Sequence, residues 1–291
     1  MKRFVRAALI AWVLLFSGSA LAAEETPRIT EETPYVPSPR IVVETMLRMA
    51  GVQAGDFVID LGSGDGRIII MAAKEHRARG FGVDYDPRLV KLATDNAAKE
   101  GVSDRVAFYQ QDIFKTELGQ ASVVTMYLLP EYNANLKPRL LALRPGTRIV
   151  SHDYGIGDWE PDAQETVPVP DKPVGAVKAS TIYSWVVPAR VEGRWKSRVP
   201  TARGVTDVVL DLDQRYQHFS GSARLRGAVV PAVVPIERPF MKSNYLSFRI
   251  EAAGETLLFQ GHVSNGRITG EMIRGTRHYR WRALKAGAAQ G

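Results

Sequence analysis

The chain has 291 residues, 45% hydrophobic and 24% charged, with no cysteine and a formal net charge of +7. This is an ordinary globular composition with room for more than one core, and the lack of cysteine excludes both disulfides and a lipid-modified cysteine. Residues 23–187 carry 18 Lys and Arg against 23 Asp and Glu, whereas residues 188–291 carry 17 against 8, an asymmetry that predicts two domains.

At the N-terminus, Lys2, Arg3 and Arg6 precede an apolar run over residues 7–16, followed by small residues ending in Ala20-Leu21-Ala22. A basic region, a short apolar region and an A-x-A site predict a signal peptide over residues 1–22 and a mature start at Ala23. The basic flank stays cytoplasmic, so the chain beyond residue 22 is expected to be exported, periplasmic or extracellular, and membrane-anchored if the segment is not cleaved. The apolar run is short for a transmembrane helix. Residues 23–34 read as a polar leader, and residues 41–50 carry a helical apolar stripe.

Residues 58–67, VIDLGSGDGR, bring an apolar run into a glycine-rich turn that a second apolar run leaves. That is a strand, a tight loop and a helix start. The glycines stand at 62, 64 and 66, and Arg67 occupies the place of the third glycine of a dinucleotide fingerprint; no P-loop Lys-Ser or Lys-Thr follows. Asp60 and Asp65 put two carboxylates at the loop, which suit a pyrophosphate poorly and suit a ligand bearing an ammonium and a sulfonium. S-adenosylmethionine (SAM) is such a ligand. The next strand, residues 80–84, ends in Asp84, about where a doubly wound sheet places a ribose-binding carboxylate. The third, residues 106–109, leads to Asp112 and Ile113, which can meet the adenine amino group and the ring through a carboxylate and a backbone N–H. Asp60, Gly62, Ser63, Gly64, Gly66, Asp84, Asp112 and Ile113 are therefore the expected cofactor ligands.

Asp86-Pro87 caps a helix over residues 89–99 that stops at Gly101. A fourth strand covers residues 123–128, a helix ending near Leu143 and interrupted by or starting at Pro138 follows, and Arg144-Pro145-Gly146 turns into a fifth strand over residues 147–152. Alternating strands and helices predict a parallel sheet covered on both faces. Residues 155–173 read as a linker, and residues 181–187 resume a β pattern that closes the sheet.

VIDLGSGDGR, GVDYD at residues 82–86, QQDIF at 110–114 and VVTMYLLP at 123–130 resemble the successive motifs of class I SAM-dependent methyltransferases. The YVPSP of residues 35–39, the YLLP of 127–130, the VSHD of 150–153 and the GDW of 157–159 are similar to those of a bacterial group related to the mitochondrial protein-lysine methyltransferases acting on ATP synthase c-subunit and the adenine nucleotide carrier. The resemblance covers roughly residues 34–188. It implies a Rossmann-like α/β fold, SAM as cofactor and a protein lysine as methyl acceptor.

Methyl transfer is an in-line displacement that needs orientation and a deprotonated nucleophile. Tyr127 and Asp153, at the tips of strands four and five, would face the methyl group in this fold; a core aromatic and a turn former are the bland readings. Tyr35 could cover the cofactor or staple the first helix, and His152 inside strand five reads as a packed histidine. The five histidines make no metal-ligand spacing, so no metal is expected. No Asn/Asp-Pro-Pro-Tyr type motif follows strand four, which points away from methylation of nucleic-acid bases.

After residue 191 short alternating runs appear at 205–212, 232–237, 245–250, 256–263, 267–272 and 278–284. They predict an all-β C-terminal domain over residues 188–291, a small barrel or sandwich appended to the methyltransferase domain of residues 23–187. Residues 277–282, RHYRWR, interleave basic and aromatic residues, with Tyr279 and Trp281 on one strand face and His278, Arg280 and Arg282 on the other. This is either a core face backed by a solvated basic face or a docking surface for an acidic partner or a membrane surface. Two other functions stay open: a methyltransferase of a small molecule or envelope component, and a non-catalytic SAM-binding scaffold that recognises partners through the β domain.

Overall fold

The computed structural model describes residues 35–201, 204–226, 232–252 and 254–287; the expected signal peptide and leader lie outside them. The first layered unit contains helices α1 (Arg40–Met49), α2 (Arg67–His76), α3 (Pro87–Lys99) and α4 (Pro130–Leu141). Its strands are β1 (Phe57–Leu61), β2 (Arg79–Asp84), β3 (Val106–Gln110), β4 (Val123–Met126), β5 (Arg148–His152), β6 (Ala163–Pro168) and β7 (Ala179–Val186). They form one sheet in the order β3-β2-β1-β4-β5-β7-β6. The first five strands are parallel and β7 enters antiparallel between β5 and β6. This is the Rossmann-like sheet expected from the sequence.

The central strands carry almost no outward polar residue because helices cover both faces. β1 is buried from Val58 to Leu61, and β4 throughout. One face packs against Val42, Met46 and Leu47 of α1 and Ile69 and Ala73 of α2; the other meets Leu136 and Leu140 of α4, with Trp159 and Trp185. Asp86 caps α3 by accepting from the Arg88 N–H, and Pro87 follows at the first helical position. Pro138 lies inside α4, which runs through it. Residues 155–173 correct the sequence reading: this stretch is no simple linker, since β6 lies within it and hydrogen-bonds along β7. Its alternating apolar signal is weak because β6 is an edge strand with only Val167 buried.

The rest of the chain builds a second, antiparallel sheet. Its strands are β8 (Gly193–Thr201), β9 (Gly204–Arg215), β10 (His218–Arg226), β11 (Ala232–Pro235), β12 (Glu237–Lys242), β13 (Tyr245–Ala252), β14 (Glu255–Ser264), β15 (Arg267–Arg274) and β16 (Arg277–Lys285). The order β11-β10-β9-β8-β16-β15-β14-β13-β12 brings the first strand of the unit against the last. The two end strands, β11 and β12, are joined by Ile236 alone, whose N–H still donates to the Gly221 carbonyl of β10 at 3.0 Å, so the sheet is a nearly closed barrel. Inside it Trp195, Phe248, Phe259 and Trp281 are all fully buried, and Phe259 meets Trp281 edge-on at 5.0 Å between ring centroids. The sequence pattern missed β8 and β10, and its run over residues 232–237 covers β11 but reaches only the first residue of β12.

The two sheets meet through side chains near the GDW motif. Trp159 donates to the Gln217 side chain at 2.9 Å and stacks on Tyr216 at 5.9 Å. Asp158 accepts from Lys137, from Arg215 and from the Tyr216 hydroxyl, and these partners hold its carboxyl below the usual range.

Candidate functional site

The order of strands reverses between β1 and β4, which is where an open α/β sheet leaves a crevice at its C-terminal edge. The loop leaving β1 lies in that crevice. Gly62, Gly64 and Gly66 have φ values of 75°, 54° and 81°, a left-handed path open mainly to glycine. The Gly62 and Ser63 N–H groups both donate to the Val83 carbonyl at 2.9 Å, tying the loop to the end of β2. Gly66 then starts α2, packed where an added Cβ would lie 2.6 Å from Phe108.

Asp84 is docked against this loop. One oxygen accepts from the Gly64 N–H at 2.8 Å and the other from the Asp86 N–H at 3.0 Å. Each keeps lone-pair capacity toward the crevice. Asp60 is 1% exposed. Its Oδ1 accepts from the Thr125 hydroxyl at 2.6 Å, while Oδ2 is buried with no partner, as is the Ser63 hydroxyl. Burial, reinforced by the charges of Asp84 and Asp65 and opposed by Thr125, pushes the Asp60 carboxyl up to about 7.

The structure corrects the reading of Asp65. Its carboxylate is not free for a cationic ligand, because Arg67 binds both oxygens through Nε at 2.9 and 3.1 Å and adds a contact from Nη2 at 2.6 Å. Burial opposes ionisation of Asp65, but the Arg67 guanidinium outweighs it and holds the carboxyl below its ordinary value. Arg67 also donates to the Ser38 carbonyl at 2.8 Å, drawing residues 35–38 over the loop. The Tyr35 ring consequently covers Gly64, where an added Cβ would lie 2.5 Å from Tyr35 Cε2. Burial and the neighbouring Asp65 push the Tyr35 phenol up to about 12.

A cavity of about 130 Å³ lies between Tyr35, the glycine loop, Asp84 and Tyr127. That is below the roughly 300–1,000 Å³ of a typical small-molecule site, because the Tyr35 ring fills the space above Gly64. Tyr127, just after β4, packs against His152 at 3.9 Å with its ring tilted by 31° and stacks on Tyr154 at 6.2 Å. Burial first, then Asp153 and Tyr154, pushes its phenol up to about 12, so Tyr127 is neutral at physiological pH. His152 is 1% exposed and bridges Ser38 and Ser180, each at 2.9 Å. Burial pushes its imidazole down to about 4.

Asp153 is placed differently. It has φ of 60°, accepts from the Thr181 N–H at 3.0 Å and pairs with Lys172 Nζ at 2.7 Å. It does not line the cavity, which Tyr127 does. Asp112 turns the chain after β3, accepting from the Phe114 N–H at 2.8 Å. Ile113 is buried, and its carbonyl accepts from Arg139 at 3.1 Å. Neither lines the cavity, although the Gln111 N–H donates to the Asp84 carbonyl at 3.0 Å and joins their turn to the tip of β2.

Gly62, Ser63, Gly64, Asp84 and Tyr127 thus line one cavity, whereas Gly66 and the buried Asp60, at the end of β1, do not line it. Thr125, Ser38, Ser180 and Lys172 were given no role by the sequence reading; Ser38 and Thr125 lie inside quoted motifs, but their partners His152 and Asp60 are distant in the chain, and Ser180 and Lys172 belong to no motif. The set fits SAM on three observations: an unpartnered carboxylate oxygen for a cation, a second carboxylate on the loop for hydroxyls, and a Cβ-free backbone.

Known proteins are similar to the chain over this region. The ANTKMT methyltransferase domain matches residues 60–163. The chain is 41% identical over 156 residues to a protein-lysine N-methyltransferase of Saccharolobus islandicus, covering 53% of this chain and 93% of that one. It is 34% identical over 133 residues to an adenine nucleotide translocase lysine N-methyltransferase of Mus musculus, covering 45% of this chain and 58% of that one. Among solved structures, an RNA methyltransferase from Salinibacter ruber in complex with S-adenosyl-L-homocysteine is 46% identical, covering 54% of this chain and 96% of that chain, with a TM-score of 0.48.

Proposed function

We propose an acceptor for this chain from one premise: it belongs to the family of SAM-dependent methyltransferases that carry the ANTKMT methyltransferase domain. The acceptor is the ε-amino group of a protein lysine. The Saccharolobus relative, spanned over 93% of its length, is a protein-lysine N-methyltransferase, and that relation supports the reading.

SAM, when bound, supplies a methyl group already activated on a sulfonium. The observation that carries the assignment of the site is the unpartnered Oδ2 of buried Asp60 beside the glycine loop. Asp60 completes itself with a cationic group of the ligand, and Asp84 accepts from the ribose hydroxyls while holding the Gly64 N–H. Asp112 and the Ile113 N–H serve the adenine end.

On the acceptor side Tyr127, backed by His152 and Tyr154, holds the attacking amine against the cavity. A phenol near 12 does not act as a base at neutral pH; it orients the amine by a hydrogen bond or by its ring face. Asp153, paired with Lys172, fixes the end of β5 beside Tyr127 and His152.

The protein works on the far side of the cytoplasmic membrane. This rests on Lys2, Arg3 and Arg6 ahead of the apolar run and on the small-residue end at residue 22. A reporter active only after export, fused after Gly291, is expected to be active; an inactive fusion at normal protein level overturns this topology. The acceptor is tested with radiolabelled SAM, the purified protein and separated envelope protein and RNA fractions. Label on protein lysines is expected, and label confined to RNA or small molecules overturns the proposal.

A further inference from the structure

The outer face of the second sheet carries a groove of about 1640 Å³ across β10, β9, β8, β16 and β15. Cross-strand register places five of its lining residues in one row. Arg267 lies opposite Leu284, Leu284 opposite Lys196, Lys196 opposite Val209, and Val209 opposite Arg224. Read across the sheet, the row runs cation, apolar, cation, apolar, cation.

The three cations of the row differ from their neighbours in their pairing. Arg194 and Arg198, on either side of Lys196 along β8, are answered across the strand pair by Asp211 and Asp207. No ion pair involves Lys196, Arg224 or Arg267 among the described residues, and Leu284 between them is 46% exposed. Positive charge interleaved with exposed apolar surface is complementary to a partner that alternates acid and apolar groups.

The spacing narrows that partner. Adjacent strands lie about 4.8 Å apart, so the cations recur every ~9.6 Å with an apolar residue midway. On an α-helix, residues seven apart on one face are separated by about 10.5 Å, and the residue three or four positions on lies near the midpoint. A helix about 10 Å across and 15 residues long occupies a volume on the order of 1,600 Å³, comparable with the groove. Among the described residues no aromatic side chain lines the groove, so it offers no platform for the base stacking that single-stranded nucleic acid uses.

We propose that this groove binds an acidic amphipathic helix of a partner protein, with carboxylates seven residues apart seated on Arg267, Lys196 and Arg224, and apolar side chains between them on Leu284 and Val209. The inference is independent of the methyl acceptor and of the SAM site.

The test uses the full protein and a fluorescent helical peptide of about 15 residues with glutamates seven apart and leucines midway, against a scrambled peptide of the same composition. The patterned peptide is expected to bind at least tenfold more tightly, with affinity falling as salt rises. Lys196→Glu is expected to weaken it at least tenfold while SAM binding is retained, and a peptide whose central glutamate is replaced by lysine is expected to recover binding to that variant. Equal binding of the two peptides, no binding of either, or no rescue overturns the proposal. So does tighter binding of an oligouridylate or of phosphatidylglycerol vesicles than of the patterned peptide.

Discussion

Single carboxylates differ here by what surrounds them, and Asp60 is the clearest case. Its folded carboxyl, pushed by burial from 3.8 to about 7, holds a proton that the unfolded chain releases. Its contribution to stability is therefore fully present below the ordinary carboxyl range and lost as pH rises through about 7. A cationic ligand favours the ionised form, so SAM affinity is expected to strengthen over that same upper range. Asp60→Asn keeps the shape and is expected to flatten both profiles; melting and calorimetry across pH check this, and a variant with the parent's slopes refutes the role. Asp84→Ala removes a charged acceptor whose hydrogen bonds are worth roughly 1.5–3 kcal/mol each, about ten- to a hundredfold in SAM affinity for each bond lost. Parental affinity would remove Asp84 from the site. The same two residues mark what was legible: both acids stand at strand tips in the sequence, but the buried bond from Thr125 and the empty Oδ2 depend on β4 lying beside β1.

At the level of elements, the glycines of β2 separate close packing from loop freedom. Gly80 lies opposite Val58 in the β1–β2 pair, and a Cβ there would stand 1.8 Å from the Val58 carbonyl oxygen. Gly80→Ala must part the two strands that carry Asp60 and Asp84, at a cost above the ~1–3 kcal/mol of ordinary overpacking. Gly119→Ala, with nothing within 4 Å of the added carbon, is expected to be within about 0.5 kcal/mol of the parent. Comparing the two by chemical denaturation checks the contrast; similar midpoints contradict it. Helices and parallel strands were readable because each carries its own periodicity or cap. β6 and β8 were not, since β6 is an edge strand with only Val167 buried and β8 turns the polar Ser197 inward between Trp195 and Val199.

For the whole molecule, the barrel is joined to the α/β sheet by a small set of contacts around Asp158 and Trp159. A fragment ending near Pro188 keeps Asp60, Asp84, Asp112 and Tyr127 but uncovers Trp159, which is 1% exposed in the full chain. It is expected to bind SAM within a few-fold of the parent and to melt at a lower temperature. A folded fragment that fails to bind SAM would show that the barrel contributes to the cofactor site.

By itself the sequence determined the chemistry that lives on contiguous residues: a glycine loop between strand and helix, acids at successive strand tips, and a change from helix-bearing to all-strand patterning near residue 190. Tertiary structure alone decided which charges remain available. Asp65 is neutralised by Arg67 once residues 35–38 fold over the loop, and Asp153 by Lys172 once β7 lies beside β5. The RHYRWR stretch likewise resolves into a buried Trp281 and an outward Arg282, while the cationic row across the barrel draws Arg267, Lys196 and Arg224 from three separate strands. Local patterns fix backbone conformation, because capping, glycine freedom and periodicity act over a few residues. Apart from the local Asp65–Arg67 pair, the charge pairing at Asp153 and the surface row join residues distant along the chain, and only the folded sheets set those distances.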